Sequence, residues 1–352
     1  MTLTAVAPQV ASLLTSRTRL AWRVVQSAVW LVGAGMVAAL LWAPEIGIHA
    51  FWNFLIPVAP ALLAIAPGLW RNICPLASTA LFARHIDRSS RLKVPCQWQG
   101  RLLFIGVVLL FLIIPLRHIL LDLSGPATAL VILLLAVAAI FMGSRFEWKS
   151  GWCSGMCPVH GVEKLYGTVP FFSPPNAHCT LCERCVQPCA DSTPGLHPLM
   201  VENGLPRLLA GILMVGAFPG FIWGWFQVPD YLGDEGWRHL GAAYGYPLLG
   251  AATTLLVLLV LRPRISGRHR SILYRAFAAA AIACYYWYRL PALFGFGPFP
   301  GDGMLVDLRA TLPAWFPAIS RSATTLLFTW WLVGRRSVPR TWLVRPPFAQ
   351  AA

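Results

Sequence analysis

"LLFIGVVLLFLIIPLRHILL", residues 102–121, is an apolar run broken only near its end, by Arg117 and His118. A helix of about 20 such residues crosses the ~30 Å hydrocarbon core of a bilayer. The next run, "PATALVILLLAVAAIFMG" at 126–143, repeats the pattern after a short polar link. Working outward, further runs lie at 24–43, 50–69, 207–226, 244–261, 272–292 and 319–334. Pro57, Pro60 and Pro67 interrupt the second of the eight. Prolines are tolerated in a span where neighbours re-satisfy the freed carbonyls. The pattern predicts an all-α polytopic membrane protein of about eight transmembrane helices.

Composition agrees. Of 352 residues, 57% are hydrophobic and only 12% charged, too few charges to coat a soluble domain of this size. The net charge of +15 comes from Lys and Arg set between the apolar runs. Such blocks report membrane orientation, and no nucleic-acid partner is expected. With eight spans, the N-terminus, loops 70–101, 144–206 and 262–271 and the C-terminal tail share one side. That side carries most of the basic residues, among them Arg17, Arg23, Arg71, Arg84, Lys149 and Arg264. Asp122, Asp230, Asp234, Glu235, Asp302 and Asp307 fall on the other. The bias makes the basic side cytoplasmic, with both termini there, in a bacterial inner membrane. The N-terminus shows no removable signal peptide. Aromatic clusters such as "YYWYR" and "WGWF" are the expected interfacial belt. Three regions follow: a four-span unit at 1–143, a cytoplasmic segment at 144–206, and a second four-span unit at 207–352.

The middle segment is the longest connection, about 60 residues, and holds "AHCTLCERCVQPCAD" at 177–191. Cys179, Cys182, Cys185 and Cys189 have the bacterial ferredoxin spacing for a [4Fe–4S] cluster. Zinc sites instead pair two separated C-x2-C units, and disulfides do not suit a reducing cytoplasm. The first three cysteines of such a run bind one cluster, and the fourth generally serves a second. The same segment holds "KSGWCSGMCPVHG" at 149–161, with Cys153 and Cys157 spaced x3 and followed by Pro158. That pair would suit cluster ligation, a redox dithiol or soft-metal binding; the plainer alternative is two buried thiols at a span end.

"PGLWRNICPLA" at 67–77 follows the first span pair as "SGWCSGMCPVH" follows the second. Superposing Cys74-Pro75 on Cys157-Pro158 aligns Gly68 with Gly151 and sets Trp70 where Cys153 would be. The match reads as a degenerate internal repeat: two spans, then a cysteine-proline turn on the cytoplasmic face. Cys96 lies on the same side. Setting Cys284 aside as a mid-span packing residue leaves eight of the nine cysteines, the ligand count of two clusters. One cluster plus a thiol pair is the other reading.

A C-x3-C-P turn after a span pair, followed by a ferredoxin-type cysteine run, resembles the membrane polyferredoxin-type iron–sulfur proteins. These include the NapH-type subunit of periplasmic nitrate reduction, the NosR-type protein of nitrous oxide reduction and the CcoG-type cytochrome oxidase accessory protein. The resemblance covers about residues 20–195 and rests on Cys153, Cys157, Pro158 and Cys179, Cys182, Cys185, Cys189. It implies electron transfer at the cytoplasmic face, linked to a quinol or to a periplasmic acceptor, with a redox partner protein or respiratory complex subunit as the expected partner. The chain departs from many members in its single full cysteine run, in Trp70 and in its four additional C-terminal spans.

Other residues are weighed against plain roles. His160 and His178 would tune or ligate a cluster, or be solvated loop residues. His118, beside Arg117, would serve a haem or quinol site, or simply sit at the interface. Arg275 and Arg289 are expected to snorkel. No nucleotide-binding glycine turn or catalytic serine or carboxylate set occurs. The expected function is one-electron transfer by a membrane-bound iron–sulfur protein with membrane lipid around it. The alternatives are a copper-handling or assembly factor for a respiratory metalloenzyme and a cluster-based redox-sensing regulator.

Overall fold

Every long apolar run is helical, and among the described residues the only strand-like pairing is an isolated bridge between Leu92 and Phe146. The computed structural model describes residues 15–171, 174, 177, 199, 204–231 and 236–335, without the side chains of Cys96 and Arg268. The cysteine run 179–189 and His178 lie outside the described residues.

Helix α1 (Ser16–Trp42) starts at Thr15, whose hydroxyl accepts from Thr18 N, filling one of the orphan donors of the first turn. The chain returns through α2 (Pro44–Ile48), a π-helical stretch (His49–Leu55) and α3 (Ile56–Ile65). Pro57 sits in the first turn of α3, where its missing N–H costs nothing, while Pro60 lies inside that helix. Short helices follow: α4 (Pro67–Ile73), α5 (Pro75–Ala80) and α6 (Phe82–His85). Next come α7 (Cys96–Ile113) and α8 (Gly125–Arg145), the latter capped by Ser124 accepting from Ala127 N. A π-helical segment (Lys149–Met156) leads to α9 (Pro158–Tyr166). The second half has α10 (Leu205–Ile212), α11 (Phe218–Trp225), α12 (Leu240–Leu261), α13 (Arg268–Leu293) and α14 (Phe316–Thr329).

Among the described residues, six helices are long and apolar enough to cross a membrane: Ser16–Trp42, Pro44–Ile65, Gln97–Arg117, Gly125–Arg145, Leu205–Trp225 and Gly236–Leu261. The other two expected spans are helical but outside that set. Helix α13 carries Arg275 and Arg289, and α14, which runs on through a π-helical turn to Gly334, carries Arg321 and several polar residues. In the second half, α11 and α12 cross at two glycines. A Cβ on Gly220 would lie 1.9 Å from Gly250 O, so only hydrogen fits there.

The internal repeat is visible in the packing. In the first half, α4 and α5 lie against α1, and α5 crosses to α8. In the second half, the Lys149–Met156 segment and α9 lie against α7, and α9 crosses to α3. Each broken segment thus packs on its own first span and on the other unit's second span. The backbone repeats too: Cys74 has φ −58°, ψ 119°, and Cys157 has φ −62°, ψ 122°, each extended before a helix-starting proline.

One expectation needs correcting. The sequence puts Cys153 and Cys157 in a loop beyond the spans. Instead, segment 149–166 turns back among the helices. Met156 O and Cys157 O lie 3.0 and 3.1 Å from where a Gly106 Cβ would be, abreast of the middle of α7. Pro75 stands in the same way against Gly33, in the middle part of α1. Broken backbone at such depth is tolerated where protein surrounds it. Trp148, Trp152, Leu165 and Tyr166 are buried, as the aromatic and aliphatic content of the segment requires.

Candidate functional site

The two cysteine-proline breaks face one another. A cavity of about 40 Å³ lies between them, lined by Cys74, Cys153 and Cys157 together with Trp70, Trp152 and His160. Trp70, which stands in the repeat where Cys153 would be, lines the same cavity as Cys153. Spacing marks Cys153 and Cys157 as a pair and the repeat marks Cys74; all three line this one cavity.

All three thiols are half-buried and unbonded to one another. Burial pushes the Cys157 thiol up to about 12, with Cys74 adding to the rise. Burial also raises Cys153 well above the ordinary value, followed by Cys157 and Cys74, and it raises Cys74. In this form the thiols are neutral, and neutral thiols are poor nucleophiles and poor ligands. A bound cation would lower them, since metal binding releases the protons. Among the described residues, no three His, Cys, Asp or Glu side chains are gathered closely enough to hold a metal ion. The three thiols therefore do not by themselves form a closed ligand shell.

Charged groups brace the cavity. Arg71 of α4 and Glu163 of α9 form a buried ion pair across the repeat axis. Burial works to raise Glu163, but Arg71, then His160, bring it down to about 2. His160 is 1% exposed, not a solvated loop residue. Its Nδ1 is 3.7 Å from Glu163 Oε2, too long for a hydrogen bond, and neither ring nitrogen has a hydrogen-bond partner among the described residues. Burial lowers its pKa, against the pull of Glu163. Nearby, Arg84 Nη1 lies 3.2 Å from both carboxylate oxygens of Glu147.

The approach to the four-cysteine run is tethered here. Ala177 N donates to Asn72 Oδ1 at 2.9 Å, and Pro174 lies against Gly68. Asn72 is fully buried and stands two residues before Cys74. On the far side of the run, Leu199 packs on Gly211 of α10.

A second cavity, about 250 Å³ and almost wholly apolar, extends from Cys157 and Pro158 to Trp52, Trp225 and Arg117. At that end lies a polar network which sequence reasoning missed. Arg117 donates to both oxygens of Asp122 at 2.9 and 2.8 Å and sits over the rings of Trp52 and Trp225. His118 Nδ1 is 2.6 Å from Asp230 Oδ1, and its Nε2 is 3.0 Å from Trp225 O. His118 is thus buried in the protein and paired with Asp230. Arg289 does not snorkel: it is 3% exposed and donates to Trp52 O and Asn53 Oδ1, each at 2.7 Å. Arg275 likewise caps a helix end, donating to Leu332 O, Val333 O and Arg335 O. The available signal was the presence of charged residues next to apolar runs, which snorkelling explains equally well. Cys284 packs against the main apolar core, as expected. Comparison with family models, with curated proteins and with solved structures found no match for this chain.

Proposed function

We propose that the protein is a membrane-embedded electron carrier. It binds at least one [4Fe–4S] cluster through Cys179, Cys182, Cys185 and Cys189. It passes single electrons between a quinol pool or cytoplasmic donor and a respiratory redox partner. The observation that carries this reading is the C-x2-C-x2-C-x3-C spacing on the basic side of a multi-span chain. The cluster supplies reversible one-electron chemistry, with its potential set by burial, hydrogen bonds to sulfur and nearby charge. The hydrogen bond from Ala177 N to Asn72 supports the reading, because it holds a residue two positions before Cys179 against the helix that leads into Cys74. The basic face supports a cytoplasmic location for the run in a bacterial inner membrane.

The second reading is favoured by Cys153 and Cys157, which line one cavity. A two-thiol site suits Cu(I), and the protein would then handle copper for a respiratory metalloenzyme. Two variants separate the readings in protein purified without oxygen. For the electron carrier, Cys182→Ser abolishes a reversible reduction signal in EPR. For the copper factor, Cys153→Ser abolishes copper retention while Cys182→Ser leaves it intact.

A further inference from the structure

A groove of about 760 Å³ runs between α1, α5, α6 and α8, away from the thiol cavity. Its two ends differ in chemistry. Arg23 and His85 stand at one end, and neither makes a hydrogen bond or ion pair among the described residues. The neighbouring Arg84 is already engaged by Glu147. Burial, then Arg23 and Arg84, hold the His85 imidazole below its ordinary value. The rest of the groove is lined by Leu31, Phe82 and Ile140, which are outward-facing and 64%, 55% and 37% exposed. Trp30 frames it, with its indole N–H donated to Thr79 Oγ1 at 3.2 Å. Ser78 Oγ lines the groove, buried and without a hydrogen-bond partner.

We infer that this groove binds an anionic phospholipid, with its phosphate between Arg23 and His85 and its acyl chains along Leu31, Phe82 and Ile140. Helix α1 is a span-length helix whose side chains are mostly outward-facing, so the groove opens where lipid would be. Arg23 stands on its second or third turn, about 10 Å from the helix start, a depth that suits a headgroup contact. The Arg23 guanidinium donates to phosphate oxygens with charge assistance, and the neutral His85 ring donates through its one N–H. A zwitterionic lipid brings its own cation, which the Arg23 guanidinium repels. A free phosphate lacks the chains that the apolar stretch would cover. The volume falls in the range of ordinary small-ligand clefts. The inference rests on the membrane-embedded fold and stands independently of the iron–sulfur reading.

Native mass spectrometry of the full chain, released from detergent, tests it. The probes are phosphatidylglycerol, phosphatidylcholine with identical acyl chains, and glycerol 1-phosphate. The expected result is selective retention of phosphatidylglycerol. In the double variant Arg23→Gln/His85→Gln that retention falls by roughly tenfold or more, on the scale of about 1 kcal/mol per basic group. Arg17→Gln, which removes a like charge outside the groove, leaves retention unchanged. Equal retention of the two lipids overturns the inference, as does an unaltered double variant that melts at the wild-type temperature. Competition by glycerol 1-phosphate equal to that of the lipid overturns it as well, since the site would then be for free phosphate.

Discussion

At the scale of single residues, the cavity is held by charges that only pairing makes tolerable. Removing one member of a buried ion pair strands the other, at a cost of about 3–5 kcal/mol. Glu163→Gln should therefore lower the melting temperature sharply, and adding Arg71→Met should recover most of the loss. If the double variant melts no higher than the single, the pair is not the brace. The pH dependence has a definite sign. Glu163 is held down to about 2, from an ordinary value of 4.5, so its contribution is complete above pH 4.5 and is lost as pH falls towards 2. Melting curves between pH 6 and 3 should fall more steeply for wild type than for Glu163→Gln. The thiols lead to a third expectation. Burial keeps Cys153 and Cys157 protonated at neutral pH, so iodoacetamide should modify them far more slowly than a free cysteine at pH 8. Peptide mapping that finds both alkylated at the free-cysteine rate would contradict this. The cysteines themselves were legible in the sequence, because thiol spacing is a local signal. The burial of His160 was not, because it depends on helices from both halves closing over residue 160.

At the scale of elements, the long spans could be read directly, since twenty apolar residues in succession have few other uses. The broken segments could not. Arg71, Lys149, Glu163 and Lys164 look like loop residues in a one-dimensional scan, yet all four are buried among helices. The repeat was the better guide: aligning Cys74-Pro75 with Cys157-Pro158 anticipated two equivalent breaks, and the backbone angles match. It could not show that the breaks lie abreast of the spans' middles. The α11–α12 crossing makes an element-scale prediction. Gly220→Val drives a side chain into the Gly250 carbonyl and should abolish monodisperse protein in size-exclusion chromatography. Gly245→Ala, at a position with nothing within 4 Å, should be neutral or slightly stabilising. Similar elution of both variants would mean that the helices do not cross as closely as described.

At the scale of the whole molecule, the helical membrane architecture followed from composition and run length. Among the described residues, six helices of span length and apolarity stand where the sequence predicts eight spans. The difference lies in the C-terminal part, where Arg275 and Arg289 bond to backbone inside the fold and lower the apolarity on which a span count depends. The account as a whole turns on whether the cysteine run holds an inorganic cluster. The most direct measurement is iron and acid-labile sulfide per chain in full-length protein purified without oxygen, read beside EPR of the reduced sample. About four irons with matching sulfide are predicted for one cluster, or about eight for two, with Cys182→Ser losing both iron and signal. Zinc without sulfide, or colourless protein with no iron, would contradict the account.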